Sequence, residues 1–154
     1  MDNMIDCATT LLLAPGVAQV FYGDETGRKL SDAQYNADSD QAFRSDMNWN
    51  DINTDYLSHF RRLGKIRQSH PVIATGRQRT LDTHTALRFD DAETILIRLV
   101  PDKGRPINLF GVFNDGEKVT DLYTGETATV KNGTATFPRL ENRVAIIAKT
   151  SEVD

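Results

Sequence analysis

The sequence predicts an α+β fold in which a short helix-strand-helix segment precedes an antiparallel β-sandwich. Three observations support this prediction. Apolar residues recur at helical spacing over residues 4–12, and the run 17–22 is apolar on both faces. After residue 72 the pattern changes to short alternating stretches separated by turn dipeptides. With 154 residues, of which 39% are hydrophobic and 26% charged, the chain has the composition of a globular protein.

The first predicted helix ends at Pro15-Gly16, because this pair breaks helices. Its apolar face consists of Met4, Ile5, Ala8, Leu11 and Leu12. A strand is predicted over Val17–Tyr22, where only Gln19 interrupts the apolar run. Strands that are apolar on both faces are typical of parallel sheets covered on both sides. Because the rest of the sequence offers no parallel neighbour, we expect this segment to be the end of a larger α/β domain.

A long polar loop follows over residues 26–53, and a second helix is predicted after it. Asn53 or Thr54 can cap this helix, and His70-Pro71 ends it. Its apolar stripe consists of Tyr56, Leu57, Phe60, Leu63 and Ile66. Gly64 costs about 1 kcal/mol relative to alanine inside a helix. We therefore expect a close neighbour at that position.

The remaining residues, 72–154, are predicted to form the β-sandwich as a second domain after residues 1–71. One strand is expected over Thr80–Phe89, with Leu87 on its inner face and His84 on its outer face. Asp115-Gly116 and Asn132-Gly133 are predicted hairpin turns. Further strands are expected in the stretches TILIRLV, INLFGVF and RVAIIAK.

Charge and composition exclude several classes of function. A formal net charge of −4 and a pI near 5.3 argue against nucleic-acid binding, which usually needs a basic face. No apolar run approaches the length of a membrane span, and residues 1–16 lack the basic start of a signal peptide. Cys7 is the single cysteine, and with three scattered histidines it gives no metal-ligand spacing. We expect no metal and no cofactor.

The stretch APGVAQVFYGDE resembles the last barrel strand of the α-amylase superfamily, glycoside hydrolase family 13. The matching residues are Pro15, Gly16, Phe21, Tyr22, Gly23, Asp24 and Glu25, whereas Ala18 stands where the family usually has proline. The stretch FRSDMNWN is similar to the family's Arg-x-x-Met-x-Trp segment through Arg44, Met47 and Trp49. The final barrel helix is matched by Phe60, Arg61, Leu63, Ile66, Arg67, Pro71, Ile73 and Gly76.

This resemblance implies a C-terminal fragment of a retaining enzyme that acts on α-glucans. The fragment would hold the last piece of a (β/α)8 barrel followed by domain C. The family's catalytic carboxylates would lie upstream of Met1, so this chain has no predicted catalytic residue and is expected to be inactive alone. Arg44 and Trp49 are predicted to bind an α-glucan or maltooligosaccharide. Gly23, Asp24 and Glu25 are predicted to be structural residues of the barrel rim, where such active sites lie.

For each site residue a structural interpretation stands beside the functional one. Arg44 can pair with an aspartate of its own loop, and Trp49 can serve as a core or loop anchor. Two other functions stay open for the chain, namely a stand-alone carbohydrate-binding module and a structural β-sandwich. Homodimerisation through the uncovered barrel segment is a further expectation.

Overall fold

Helices cover one face of an antiparallel sheet in the computed structural model, which describes residues 3–29 and 44–151. Helix α1 spans Asn3–Leu13, α2 spans Thr54–Ser69 and the short α3 spans Val72–Thr75. A 3₁₀ turn at Asp24–Thr26 lies between α1 and α2. The strands are β1 (Arg77–Asp82), β2 (Thr85–Phe89), β3 (Thr94–Leu99), β4 (Ile107–Asn108), β5 (Lys118–Asp121), β6 (Thr127–Thr129), β7 (Thr134–Ala135) and β8 (Val144–Lys149).

Six strands form the main sheet in the order β1-β2-β3-β8-β5-β6, and β4 pairs with β7 in a small second sheet. Every pairing is antiparallel. The prediction of an α+β fold, with helices followed by antiparallel strands, is therefore confirmed. The predicted domain boundary between residues 71 and 72 stays a prediction, since one apolar cluster joins α1 and α2 to strands β3 and β8.

The central strands β3 and β8 are buried on both faces. Alternate residues such as Ile95 and Ile146 pack against the helices. Their neighbours Leu96 and Ile147 pack against the small second sheet and the loops around it. Each such side chain contributes about 1.5–3 kcal/mol when fully buried. Strands β3 and β8 are thus apolar on both faces within an antiparallel sheet, because helices cover one side and the second sheet covers the other.

Helix α2 has the bounds and the cap that the sequence indicates. The side chain of Asn53 accepts hydrogen bonds from the backbone amides of Asp55 and Tyr56, at 3.1 Å and 3.0 Å. The expectation of a close neighbour at Gly64 is wrong for residues 3–29 and 44–151, because a Cβ built there would meet none of their atoms within 4 Å. The helix therefore bears the conformational cost of this glycine without a packing reason.

Residues 17–22 do not form the predicted strand. Residues 17–21 have no regular secondary structure, and Val17 is 99% exposed. A strand requires a hydrogen-bonding neighbour, and the described strands all pair within the two sheets after residue 76. The segment is held at its start, where the amide of Gly16 donates to the carbonyl of Ala74 at 2.8 Å.

The single strand predicted over Thr80–Phe89 is a hairpin. Residues 83 and 84 form its turn, and β1 and β2 pair on either side of it. The carboxylate of Asp82 accepts the amide of His84 at 2.7 Å and the hydroxyl of Thr85 at 2.9 Å. These bonds stabilise the turn, although the alternation of apolar residues continues through it.

The two predicted hairpin turns have different outcomes. Asn132 and Gly133 connect a hairpin in which Lys131 pairs with Thr134. Both turn residues have positive φ, at 51° and 67°. Asp115-Gly116 also forms a turn, but it joins β4 to β5, which lie in different sheets.

Arg67 and Arg88 bind the C-terminal carbonyls of α1. Nη1 of Arg67 donates to the carbonyls of Leu12 and Ala14, each at 2.8 Å. Nη2 of the buried Arg88 donates to Leu13 at 3.2 Å, whereas its Nε and Nη1 have no partner within the described residues. Burial, with Arg67 nearby, lowers the pKa of Arg88. Cations at this position complement the negative end of the helix dipole.

Candidate functional site

The residues predicted for the barrel rim form a tight turn, here named the rim turn and comprising residues 21–28. Gly23, with a φ of 89°, directly precedes the 3₁₀ segment of this turn. Its carbonyl accepts the amides of Thr26 and Arg28 at 3.1 Å and 2.9 Å, and its own amide donates to Oε2 of Glu25 at 3.0 Å. The turn is therefore closed by the backbone of Gly23 and the side chain of Glu25.

Asp24 and Glu25 are the first two residues of the 3₁₀ segment. Desolvation raises the pKa of Asp24, and the adjacent charge of Glu25 raises it further. Because the carboxylate of Glu25 accepts the amide of Gly23, the geometry is compatible with the predicted structural role. That role stays a prediction for Gly23, Asp24 and Glu25.

A second piece of chain, residues 44–51, docks on the rim turn. The hydroxyl of Tyr22 donates to the carbonyl of Ser45 at 3.1 Å. Nδ2 of Asn48 donates to the carbonyl of Thr26 at 2.8 Å, and Oδ1 of Asn48 accepts the hydroxyl of Thr26 at 2.6 Å. Side-chain bonds therefore fix this segment near both of its ends.

The docked segment contains both residues predicted to bind sugar. Arg44 is exposed and directly precedes Ser45, while Trp49 directly follows Asn48. Trp49 is 71% exposed, so it does not serve as a core residue. Phe21 and Tyr22 of the rim turn are also exposed, at 46% and 43%. The fold thus joins the predicted binding residues to the predicted rim residues in one loop cluster, and their roles stay predictions.

A buried polar network that the sequence analysis did not single out links the helices to the sheet. Nδ1 of His59 lies 2.6 Å from the hydroxyl of Tyr123, which in turn lies 2.6 Å from Nδ2 of Asn142. On the other side of the ring, Nε2 lies 2.9 Å from Oγ1 of Thr9. His59 is 1% exposed and Tyr123 is 3% exposed.

The donors and acceptors of this network form a consistent chain. Thr9 donates to the carbonyl of Ile5 at 2.8 Å, so its oxygen is left to accept Nε2–H of His59. Nδ1 of His59 then accepts the hydroxyl of Tyr123, whose oxygen accepts Nδ2–H of Asn142. A neutral imidazole satisfies every one of these contacts. Helical spacing of His59 from Tyr56, Leu63 and Ile66 is the signal that places it on the buried face.

A cleft of about 590 Å³ lies over this network. Its charged lining is balanced, with three carboxylates and three cations, namely Asp6, Asp55, Glu141, Arg62, Lys103 and Arg143. The pKa of Tyr123 is raised, chiefly by burial. Among residues 3–29 and 44–151, no group of three or more His, Cys, Asp or Glu side chains could hold a metal ion.

Within the same described residues, no helix is both long and apolar enough to cross a membrane.

No protein-family model matches the chain. Comparison with individual proteins is more informative. The chain is 42% identical over 77 residues to the periplasmic α-amylase of Escherichia coli (strain K12). This alignment covers 48% of the chain and 11% of that enzyme. It is 23% identical over 145 residues to the β/α-amylase of Paenibacillus polymyxa, covering 90% of this chain and 12% of the relative.

Solved structures give the same result for the fold. The Anoxybacillus α-amylase superimposes with a TM-score of 0.75 at 19% identity, covering 98% of this chain and 32% of that one. The α-amylase of Geobacillus thermoleovorans, complexed with acarbose, gives 0.73 at 15% identity, covering 97% and 33%. This chain resembles the C-terminal part of an α-amylase-family glycoside hydrolase.

The similarity of this α-amylase-like chain to its relatives is partial in length. It spans about a tenth of the curated relatives and about a third of the solved structures. The amylase relatives and the amylase-like fold confirm the resemblance that the Phe-Tyr-Gly-Asp-Glu stretch indicated. The activity of a complete enzyme belongs to the proposal that follows.

Proposed function

We propose that the chain is the C-terminal portion of a retaining, α-glucan-active glycoside hydrolase, and that it contributes one wall of the substrate cleft. The docking of residues 44–51 on the rim turn is the observation that supports this most strongly. It presents the exposed Trp49 and Arg44 beside the turn that matches the family motif. The named amylase relatives and the amylase-like fold support the same class of substrate.

The chemistry of these side chains suits a sugar. The apolar face of an indole can pack on the C–H surface of a pyranose ring. The guanidinium of Arg44 presents five N–H donors, which match the hydroxyl and ring oxygens of a glucan. An α-1,4-linked or α-1,6-linked chain would offer both kinds of surface, and the linkage is left open.

Cleavage with retention needs two carboxyl groups about 5–5.5 Å apart, on either side of one bond. The proposal assigns this pair to the part of the enzyme that precedes the chain. Glu25 is used within the rim turn, because it accepts the amide of Gly23. The role of this chain would then be to bind substrate and to pack the β-sandwich against the barrel.

A second candidate is a carbohydrate-binding module. Phe110 favours it, because this side chain is 82% exposed on the sandwich. Three of the other four aromatic residues between residues 72 and 151 argue against it. Phe113, Tyr123 and Phe137 are buried at 7%, 3% and 1% exposure.

Homodimerisation is a third proposal, and it concerns the apolar run of residues 17–22. Val17, Val20, Phe21 and Tyr22 are exposed in the single chain and would be covered by the barrel of a complete enzyme or by a second copy. Light scattering of the purified chain separates these cases. A concentration-dependent dimer supports pairing, and a monodisperse monomer contradicts it.

The test of the proposed function is a transplant into the periplasmic α-amylase of Escherichia coli. The C-terminal region of that enzyme is replaced by the chain, and starch hydrolysis is measured. We expect the chimera to hydrolyse starch and the isolated chain to give no turnover on starch, maltodextrins or a nitrophenyl α-glucoside.

A chimera that unfolds cooperatively but has no activity would contradict the proposal. Turnover by the isolated chain would contradict the assignment of the carboxylates. Sub-millimolar oligosaccharide binding by the isolated chain, measured by calorimetry, would favour the binding-module alternative.

A further inference from the structure

The side chain of Arg28 joins the rim turn to the docked segment. Its Nε donates to the carbonyl of Tyr22 at 3.3 Å. Its Nη1 donates to the carbonyl of Ser45 at 3.3 Å and also to the hydroxyl of Ser45. The guanidinium carbon lies 4.3 Å from the centroid of the Tyr22 ring, within the range of a cation–π contact.

Gly23 makes this close approach sterically feasible. A Cβ built on Gly23 would lie 2.5 Å from Nε and 2.7 Å from Cβ of Arg28. Both distances are too short for non-bonded heavy atoms. The φ of 89° at Gly23 also disfavours any side chain. The glycine of the rim turn therefore serves the packing of Arg28 as well as the turn itself.

Ser45 is held from two further sides. Its carbonyl accepts the hydroxyl of Tyr22, and its own hydroxyl donates to the carbonyl of Lys29 at 3.1 Å. Because Arg44 is the residue before Ser45, these bonds fix the backbone from which the Arg44 side chain projects. Asn48 holds the other end of the segment, directly before Trp49, through Thr26.

We propose that Arg28 is a positioning residue for substrate. It fixes the Arg44 end of the docked segment, while Asn48 and Thr26 fix the Trp49 end, and the ordered segment is so prepared to bind an α-glucan ring. This inference rests on the proposed function, since the ligand is the substrate of that function. Preorganised contacts bind better because the cost of ordering the loop is met before the sugar arrives.

The first experiment uses the chain itself and needs no sugar. Trp49 is the single tryptophan, so its fluorescence anisotropy reports the order of the docked segment. We expect R28A to lower the Trp49 anisotropy and R28K to restore part of it, because lysine keeps the charge but not the two-sided set of donors. The matched control is R77A. The guanidinium carbon of Arg77 also lies over an aromatic ring, 4.9 Å from the centroid of Phe89, and Nη2 of Arg77 donates to Asp91 in the turn between β2 and β3.

The second experiment measures kinetics in the Escherichia coli chimera described above. We expect R28A to raise KM for maltooligosaccharides roughly fivefold to tenfold, with kcat changed by less than about twofold, because substrate binding is weakened and the chemical step is not. A merely structural role would lower the amount of folded enzyme and leave KM unchanged. The R77A chimera should keep the parent KM.

The two readouts separate failure of this inference from failure of the proposed function. Unchanged Trp49 anisotropy in R28A would overturn the positioning role, whatever the activity of the chimera. Lower anisotropy with unchanged KM would overturn the link to substrate. A folded but inactive wild-type chimera would overturn the proposed function, and the substrate half of the inference with it.

Discussion

His59 and Tyr123 are separated by 64 positions in sequence, yet the imidazole Nδ1 and the phenol oxygen are 2.6 Å apart in the buried interior. This bond connects helix α2 to the turn that follows strand β5. The guanidinium carbon of Arg62 lies 4.8 Å from the centroid of the same phenol ring. The helical layer and the sheet are therefore joined by a specific polar contact as well as by apolar packing.

Replacement of Tyr123 by phenylalanine should lower the free energy of unfolding. The change removes the hydroxyl that donates to Nδ1 of the buried His59 and accepts from Asn142, and it leaves these two groups only their longer mutual contact of 3.3 Å. We expect a loss of about 1–3 kcal/mol in urea unfolding, the cost of an unsatisfied buried polar group. Tyr22→Phe is the matched control, because it removes a hydroxyl that bonds at an exposed site, and it should change little. Equal effects of the two variants would contradict the importance of the buried network.

Two glycine-to-alanine changes should have opposite effects on stability. At Gly64 the added methyl group meets no atom within 4 Å, and helix propensity favours alanine by about 0.5–1 kcal/mol, so G64A should stabilise the chain. At Gly23 the methyl group would lie 2.5 Å from Nε of Arg28 at a positive φ, so G23A should destabilise it by about 1–3 kcal/mol. Thermal unfolding of both variants measures the difference. Stabilisation by G23A would show that the rim turn is not constrained as described.

The pH dependence of stability should carry opposite signatures from Asp121 and Asp82. Burial raises the pKa of the fully buried Asp121 above its ordinary value of 3.8, although Thr124 and three backbone amides oppose the shift by hydrogen bonding. Between 3.8 and the folded-state pKa, the native state keeps a proton that the unfolded chain has released. The free energy of unfolding contributed by Asp121 therefore falls as pH rises through that window.

Hydrogen bonding by the amide of His84 is the largest cause that lowers the pKa of Asp82 below 3.8, with smaller contributions from Thr85 and Arg98. The contribution of Asp82 to the free energy of unfolding is thus present above pH 3.8 and is lost as pH falls through the folded-state pKa. Urea unfolding of the wild type, D121N and D82N across this range tests both signs. We expect the stability difference between wild type and D121N to shrink with rising pH, and that between wild type and D82N to grow. Parallel pH profiles would contradict these shifts.

Arg67 and Arg88, which bind the C-terminal carbonyls of α1, should contribute differently to the free energy of unfolding. R67M removes charge-assisted bonds to the carbonyls of Leu12 and Ala14, and we expect a loss of about 1.5–3 kcal/mol. R88M removes a buried cation that has two nitrogens without partners among the described residues, so it should leave the chain at least as stable. Denaturant unfolding compares them directly. A loss in R88M as large as that in R67M would show that the buried guanidinium stabilises the fold.

Local sequence signals correctly predicted the cap of α2 and the Asn132-Gly133 hairpin turn. Asn53 caps α2 because its amide oxygen reaches two free backbone amides, and Asn132-Gly133 forms a hairpin turn because both residues tolerate positive φ. The motif ending in Gly23-Asp24-Glu25 identified the amylase resemblance. Each of these signals depends on residues a few positions apart, which a sequence displays directly.

Tertiary structure alone decided which apolar runs are covered. Val17–Tyr22 and Val144–Lys149 look alike in sequence, but only the second lies between helices and a second sheet, and only it forms a strand. The hydrogen bonds of a strand and the partners of His59 come from residues far along the chain, so local periodicity carries no record of them. The physical reason is that burial and strand pairing are properties of an assembled surface, whereas capping and turn formation are properties of a few neighbouring residues.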